Sequence, residues 1–372
     1  MRIFFAVPRS AWVDLNLRRS LEDMGHELVR FDFPGWPDDA DPAWQEQGKP
    51  RTNHRLLERF GAAGRVDLFF GYFYSSVVYP ETIDQIRQSG VPTVNFSCNN
   101  VHQFDLVRDI AAHFDVCVVP EQAAQRDFHA VGARPVRIQL AANPRVYRPV
   151  PVPRTYDVTF VGQRYADRAD LLRLLHTHGV GVRAFGAGWQ ARKKLDLAQL
   201  KAGLALFEDE RLDGVRRLVR QRLRPTPVAG TQASSSPESV DTSAFGGPRL
   251  LQHELVTMFS RSRLSLGFAT AGDSHRSAKR LTHLRLREFE APMSGALYLT
   301  EQQAELAEYF TPGAEVLTYA DGGDLLEKAR WYLDHQEQSE RIRRAALERA
   351  RREHTWQHRF AELFAHLGLP NA

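Results

Sequence analysis

The sequence predicts an α/β fold made of two doubly wound domains that face a shared cleft. Three observations carry that expectation. Short apolar runs alternate with helical stretches, the alternation breaks at a proline-dense segment and then restarts, and 372 residues is two to three times a typical domain.

The first half supplies the strands in order. Arg2 to Val7 reads RIFFAV, a continuous apolar run of the kind a strand buried on both faces requires. After a loop at Pro8–Ser10 comes a helix over 15–24, where Leu17 and Leu21 share a face and Gly25 closes the end. Further strands are expected at 27–33, 66–72, 92–96 and 115–119, with helices at 80–89, 105–113 and 121–131 between most of them. Strands alternating with helices imply a parallel sheet, whose ligands sit beyond the carboxyl ends of the strands. The loops Pro8–Ser10, Gly71–Ser76 and Ser97–Asp105 are therefore the site candidates of this half.

Pro144, Pro149, Pro151 and Pro153 then stiffen a linker near residue 150, and the pattern begins again. Tyr156–Val161 reads as a strand, 167–178 as a helix and 181–185 as another strand. Residues 225–248 are poor in large apolar groups and rich in Ser, Pro, Gly and Thr, so a flexible surface insertion is expected there. The segment 197–224 before it reads as a helix with a basic face at Arg216, Arg217, Arg220 and Arg224. That face suits either an anionic surface or plain solvation.

Composition narrows the classes. Lys plus Arg number 49 against 45 Asp plus Glu, a net charge of +4, with 25% charged and 43% hydrophobic residues. That balance excludes a mostly disordered, collagen-like or fibrous chain, and is too mild to argue for nucleic acid. Cys98 and Cys117 are the two cysteines, without metal spacing or a disulfide framework, which fits a reducing compartment. The apolar start ends at Pro8-Arg9, too soon for a signal peptide, and no run reaches the roughly 18 to 20 apolar residues of a membrane span. A cytoplasmic protein is expected.

The strongest signals lie after residue 150. FVGQRYADR follows the linker, FGAGW stands at 185–189, R-x-F-E followed by a glycine spans 287–295, and HTW with Arg359 marks the last helix. In this order they resemble the carboxyl-terminal domain of GT-B glycosyltransferases, in particular the CgeB-like (spore-maturation-protein) branch of the group 1 transferases. The resemblance covers about 150 to 372, with 191–249 as a departure; before 150 it rests on strand–helix rhythm and GHELVRFD. It implies a GT-B architecture of two Rossmann-like domains. Residues 1–150 would bind the acceptor and 151–354 a nucleoside-diphosphate sugar, with the helix 355–372 crossing back to the first domain.

The resemblance implies that Glu290 accepts hydrogen bonds from the ribose hydroxyls, and two carboxylate oxygens suit a vicinal diol. The turn from His283 to Arg287 would offer backbone N–H groups and the positive end of a helix to a diphosphate, and Arg285 and Arg287 would add fixed charge. Lys279, Arg280 and His275 are further candidates for that anion site. Gly162 and Gln163, after the first strand of the second half, would lie close to the donor phosphates. Gly186-Ala-Gly188 reads as a turn, and Thr300 with Gln303 as a capping box opening a helix.

Departures bear on the chemistry. Many group 1 retaining transferases carry a second acid eight residues before the ribose glutamate; here that position is Thr282, which leaves stereochemistry open. The loop CNNVHQFD has amides at Asn99 and Asn100, so a general base on it would be His102 or Asp105. Asp39-Ala40-Asp41 reads as a solvated turn rather than a metal motif. His176 with His178, and His354 with His358, read as helix-surface residues. No divalent metal or other cofactor is expected. The function implied is transfer of a sugar, from a UDP-sugar by family habit, to a hydroxyl or similar nucleophile of a small molecule, glycan or protein. A non-catalytic sugar-nucleotide-binding or partner protein, and a sugar-nucleotide epimerase, are the alternatives on one scaffold.

Overall fold

The computed structural model describes residues 1–190, 240–272, 274 and 280–371. The first sheet holds β1 (Arg2–Pro8), β2 (Glu27–Phe33), β3 (Leu68–Gly71), β4 (Thr93–Phe96), β5 (Val116–Val118) and β6 (Pro135–Val136). Their order is β2-β1-β3-β4-β5-β6, and every neighbouring pair is parallel. Ile3 to Val7 are buried on both faces of the sheet, which is why this strand is uninterrupted in its hydrophobicity. Rings on paired strands stack along the sheet, Phe4 on Phe69 at 5.4 Å and Phe5 on Phe70 at 5.6 Å.

The second sheet holds β7 (Tyr156–Val161), β8 (Val182–Phe185), β9 (Gly246–Gly247), β10 (Ser262–Leu266), β11 (Tyr298–Glu301) and β12 (Leu317–Tyr319). Its order, β12-β11-β10-β7-β8-β9, is again all parallel. Counted from β7, this is the 3-2-1-4-5-6 order of a Rossmann sheet, and the chain reverses direction between β7 and β10. In the first sheet the reversal falls between β1 and β3. An α/β fold of two parallel sheets is what the alternation of runs requires.

The helix Trp356–His366 lies against the first sheet, with Trp356 6.0 Å from Phe96 and Phe360 5.9 Å from Phe70. Thr355 caps it by accepting from the His358 N–H. Between the sheets, the proline-rich segment carries a buried polar chain. The Asn16 amide donates to the Tyr147 hydroxyl at 3.5 Å, and Tyr147 donates onward to Glu290 at 2.5 Å.

Two sequence expectations change. Residues 225–239 and the basic face at 216–224 lie outside the described residues, but the loop expected over 225–248 ends earlier than 248. Phe245 is 1% exposed, packs with Trp189 and His176, and leads into β9 on the edge beside β8. A Cβ on Gly246 would run into the backbone oxygens of Trp189 and Thr242, so a glycine that reads as a loop signal is a packing requirement. Phe245→Ala is expected to cost about 3–5 kcal/mol in urea unfolding, the usual range for deleting a buried ring; a loss below about 1 kcal/mol would return this segment to the surface. The expected capping box is also absent. Thr300 lies within β11 and donates to Glu288 at 3.2 Å, while Gln303 caps nothing with its side chain.

Candidate functional site

The reversal between β7 and β10 opens a crevice at the carboxyl ends of the second sheet, and two loops line it. The first runs from Gly162 to Asp167. Arg168, 4% exposed, shapes it by donating to Gln163 O at 2.8 Å and to the Tyr165 hydroxyl at 2.6 Å, with its guanidinium 3.7 Å from the Tyr165 ring. Burial brings the Arg168 pKa down to about 10. Ala166 is held at φ +53°, a conformation that costs an L-residue energy. Beneath the loop, Gly186 at φ +141° has no room for a Cβ, which would overlap the Gly162 carbonyl. The glycine pair at 186 and 188 is thus a turn packed under the loop.

The second loop follows β10. Glu301, 7% exposed, accepts from the Ala269 and Thr270 N–H groups, both at 3.0 Å, and pairs with Arg280 at 2.7 Å. Arg280 also reaches Asp167 at 3.0 Å, so it ties the two loops together and its charge is already neutralised. Arg285 donates to Phe268 O at 3.0 Å and Thr270 O at 2.6 Å, and lies 5.8 Å from the Tyr165 ring. Among the described residues no ion pair neutralises Arg285.

The helix Arg287–Met293 follows, only seven residues long and containing Pro292. Its N-terminal turn differs from the sequence expectation. The His283 N–H donates to Ala269 O at 3.2 Å and the Arg285 N–H to the Glu288 carboxylate at 2.9 Å, so these two donors do not await a diphosphate. Glu290 is fully buried. Tyr147 donates to one of its oxygens at 2.5 Å, Arg287 ion-pairs with the other, and Arg287 also lies 3.4 Å from Val161 O. In this state the carboxylate expected to meet a ribose is occupied by the protein.

The buried titratable groups here set opposing pH trends. Burial raises the Glu288 carboxyl to about 7, against the hydrogen bonds it accepts. The folded chain therefore holds a proton that the unfolded chain has lost between about pH 4.5 and 7. Stability falls as pH rises through that window, by up to about 3 kcal/mol at about 1.36 kcal/mol per pH unit. Glu288→Gln can accept from Arg285 N–H and donate to Thr300, so its stability relative to wild type should grow between pH 5 and pH 8; a difference independent of pH would refute the shift. His283 and His354 work the other way. Burial, with Arg285 acting on His283, lowers both to about 4. Each is neutral when folded and takes up a proton when unfolded, so stability falls as pH drops from about 6.5 toward 4. His354 is not a surface residue as expected: it is 4% exposed and donates to Tyr309 O at 2.6 Å.

From the first sheet, the loops after β4 and β5 reach this crevice. Glu121, 2% exposed, accepts from the N–H groups of Asn99 and Asn100 and from the Asn100 side-chain amide at 3.0 Å. Asn99 sits in the left-handed region at φ +67°. Across the cleft, the His283 ring, 2% exposed, stands 3.6 Å from Glu121, an electrostatic contact longer than a hydrogen bond, and neither of its ring nitrogens has a hydrogen-bond partner among the described residues. Burial works to raise the Glu121 pKa, but His283 and Asn100 outweigh it and hold the carboxyl below its ordinary value. His102 packs its ring 5.7 Å from His283 and faces Gly272. Burial and Arg285 lower the His102 pKa, which keeps the imidazole able to accept a proton.

His102, His283, Arg285, Arg287, Glu290 and Gly162 are thus brought to one region, and Gln163 lies exposed beside it. Asp105 is turned to solvent and paired with Arg108. Lys279 and His275 lie outside the described residues. Glu121, Tyr147, Arg168 and Glu301 were not singled out from sequence; for Glu121 and Glu301 the signal is an acid immediately after an apolar strand run, in VCVVPE and LYLTE. Asp39 and Asp41 occupy an exposed or half-exposed turn, where Asp41 accepts from the Ala43 N–H. Among the described residues no three His, Cys, Asp or Glu side chains are grouped to hold a metal ion, and no helix is long and apolar enough to cross a membrane.

The whole arrangement has counterparts among solved structures. Sucrose-phosphate synthase from Thermosynechococcus elongatus superposes with a TM-score of 0.61 at 12% identity, covering 99% of both chains. The Anabaena protein HepE, in complex with UDP and glucose, gives 0.53 at 12% identity and 99% of both chains. AviGT4, a glycosyltransferase involved in avilamycin A biosynthesis, gives 0.51 at 16% identity and 98% of both. The fold is GT-B. Within it, residues 215–365 match the family model described as "Glycosyl transferase-like". No curated protein matches the sequence. In GT-B terms, the crevice at β7 and β10 is the one belonging to the second domain, and the Asn99 and Glu121 loops face it from the first.

Proposed function

We propose that this protein is a glycosyltransferase that moves a sugar from a nucleoside-diphosphate sugar, UDP-sugar by default, to an acceptor hydroxyl or similar nucleophile. The observation that carries the reading is that Arg285, held by two carbonyls of the β10 loop and 5.8 Å from the Tyr165 ring of the β7 loop, stands at the carboxyl-end crevice of a Rossmann-ordered sheet, in a chain whose residues 215–365 match a glycosyl transferase-like family. The UDP and glucose bound to HepE support the choice of donor.

In this reading the donor diphosphate lies at the Gly162 loop, where Arg285 stabilises the charge that grows on the leaving oxygen. The ribose meets Glu290 once the Tyr147 hydroxyl gives way, and Arg287 stays on the second carboxylate oxygen. The acceptor enters along the first sheet, where the His102 imidazole takes its proton. The proposal extends to the CgeB-like branch, to catalysis without a divalent metal and to the cytoplasm. A nucleotide present at a hundred times its Kd should add about 2.7 kcal/mol of stability, readable as a thermal shift across UDP, GDP, dTDP, ADP and CMP. The deciding experiment incubates the best binder's sugar form with candidate acceptors, with and without EDTA, and analyses products by mass. A transferred sugar, or slow hydrolysis of the donor, supports the reading. An epimerised nucleotide sugar, or binding without turnover, replaces it with the corresponding alternative.

A further inference from the structure

We infer that Glu121 is a positioning residue that fixes the strained Asn99–Asn100 turn and thereby sets His102 against the second domain at the reacting face of the cleft. The inference rests on the proposed transferase reading, because it concerns the proton acceptor of that reaction.

Three donors converge on this one carboxylate, two of them consecutive backbone N–H groups. Consecutive N–H groups point to one side only when the chain bends sharply, and here the bend is made by an asparagine at φ +67°. Asparagine tolerates that conformation better than most residues but does not enforce it. The charge-assisted bonds to Glu121 do. The short helix Asn100–Gln103 starts at the bend and carries His102 on its first turn, so the direction of that side chain follows from the turn.

Glu121 lies in the loop three residues beyond the carboxyl end of β5 and stands 3.6 Å from His283 across the domain boundary. It therefore references the His102 loop both to its own sheet and to the opposite domain. Among the described residues, the charged and titratable groups around His102 are Arg285 and His283 from the second domain, Glu121 from the loop after β5, Asp105 with Arg108 on its own segment, and Asp127, which lines the same cavity. Glu121 raises the His102 pKa, opposing Arg285. His102 itself is exposed enough to meet a substrate.

Glu121→Gln tests this with little change of shape. Its remaining oxygen still accepts the two backbone bonds, but the new amide opposes the Asn100 amide and the charge is gone. A misplaced proton acceptor should lower kcat about a hundredfold, the size of effect that a displacement of about 1 Å produces, while donor nucleotide affinity stays near wild type. The acid limb of the kcat/KM profile and the NMR titration of His102 should both move to lower pH, and the Asn99 and Asn100 amide resonances should shift. Glu121→Asp, which keeps the charge, should hold the acid limb in place. A purely structural Glu121 would instead lower the melting temperature and leave the titration of His102 unmoved. Unmoved His102 titration together with wild-type kcat in a protein that transfers sugar overturns the inference. A moved His102 in a protein that transfers no sugar supports the hold of Glu121 on the histidine and defeats the transferase reading. If Glu121→Gln fails to fold, Glu121→Asp decides: a lowered kcat with the acid limb in place supports positioning, and a wild-type kcat despite the shortened side chain overturns it.

Discussion

Glu290→Ala is expected to lose about 3 kcal/mol of unfolding stability and, if a ribose binds there, a further 1.5–3 kcal/mol of nucleotide affinity. The stability loss follows from the partners. The carboxylate is fully buried, and its removal leaves the buried Tyr147 hydroxyl without its acceptor and Arg287 without its counter-charge. The expected loss sits at the lower edge of the range for a broken buried pair because 29% of the Arg287 side chain is exposed and can turn to solvent. Urea unfolding measures the first effect and calorimetry with UDP the second. Glu290→Gln separates them: it fills the same space and can keep the Tyr147 bond, so it should recover much of the stability but not the nucleotide affinity. A Glu290→Ala protein with wild-type stability and wild-type affinity would remove both roles.

Arg285→Ala should lower turnover by about 10²–10³, roughly 2.7–4 kcal/mol, the cost of removing one preorganised donor from developing charge. By sequence spacing Arg287, three residues before Glu290 and so able to share its helix face, is the favoured diphosphate arginine. The structure shifts the weight to Arg285, because Arg287 is already paired with Glu290 whereas Arg285 is fixed by two backbone carbonyls that leave its charge uncompensated. Held in this way, the guanidinium needs little reorganisation when the sugar bond breaks. Removing it also forfeits the bonds to Phe268 O and Thr270 O, so a fall in melting temperature is expected and has to be measured beside turnover. The discriminating readout is the ratio of diphosphate to nucleoside affinity. Arg285→Ala should weaken UDP binding and leave uridine binding nearly unchanged; equal weakening of both would make the residue a structural clamp.

Much of the fold was legible before any coordinates. The runs RIFFAV, ELVRFDF and YDVTFV are strands because parallel strands are buried on both faces and cannot interrupt their hydrophobicity, and Gly25 and Gly295, at φ +83° and +76°, end their helices as glycines do. The region of the site was legible as well: ligands of such sheets lie at the carboxyl ends of strands, which names the loop at 97–105, while the turn at 283–287 and Glu290 follow from the family resemblance. Local pattern failed where a residue's meaning depends on a distant neighbour. Phe245 and Gly246 sit in a stretch whose composition reads as loop, and only the edge of β8 makes them a strand. Thr300 and Gln303 have the spacing of a helix cap, but Thr300 is claimed by the buried Glu288 twelve residues earlier.

The sequence by itself determined the α/β class, the two parallel sheets and the segments that carry polar groups to their carboxyl ends, because burial periodicity and turn chemistry are local properties of the chain. Tertiary structure decided which charges are free and which are spent. Arg280 with Asp167 and Glu301, Glu290 with Tyr147, and His283 facing Glu121 are pairings between residues 21 to 162 positions apart in the chain. Such pairings carry no periodic signal. They arise only when loops distant in sequence are brought together by the folded sheets, and burial there then fixes which groups hold a proton and which remain available to a ligand.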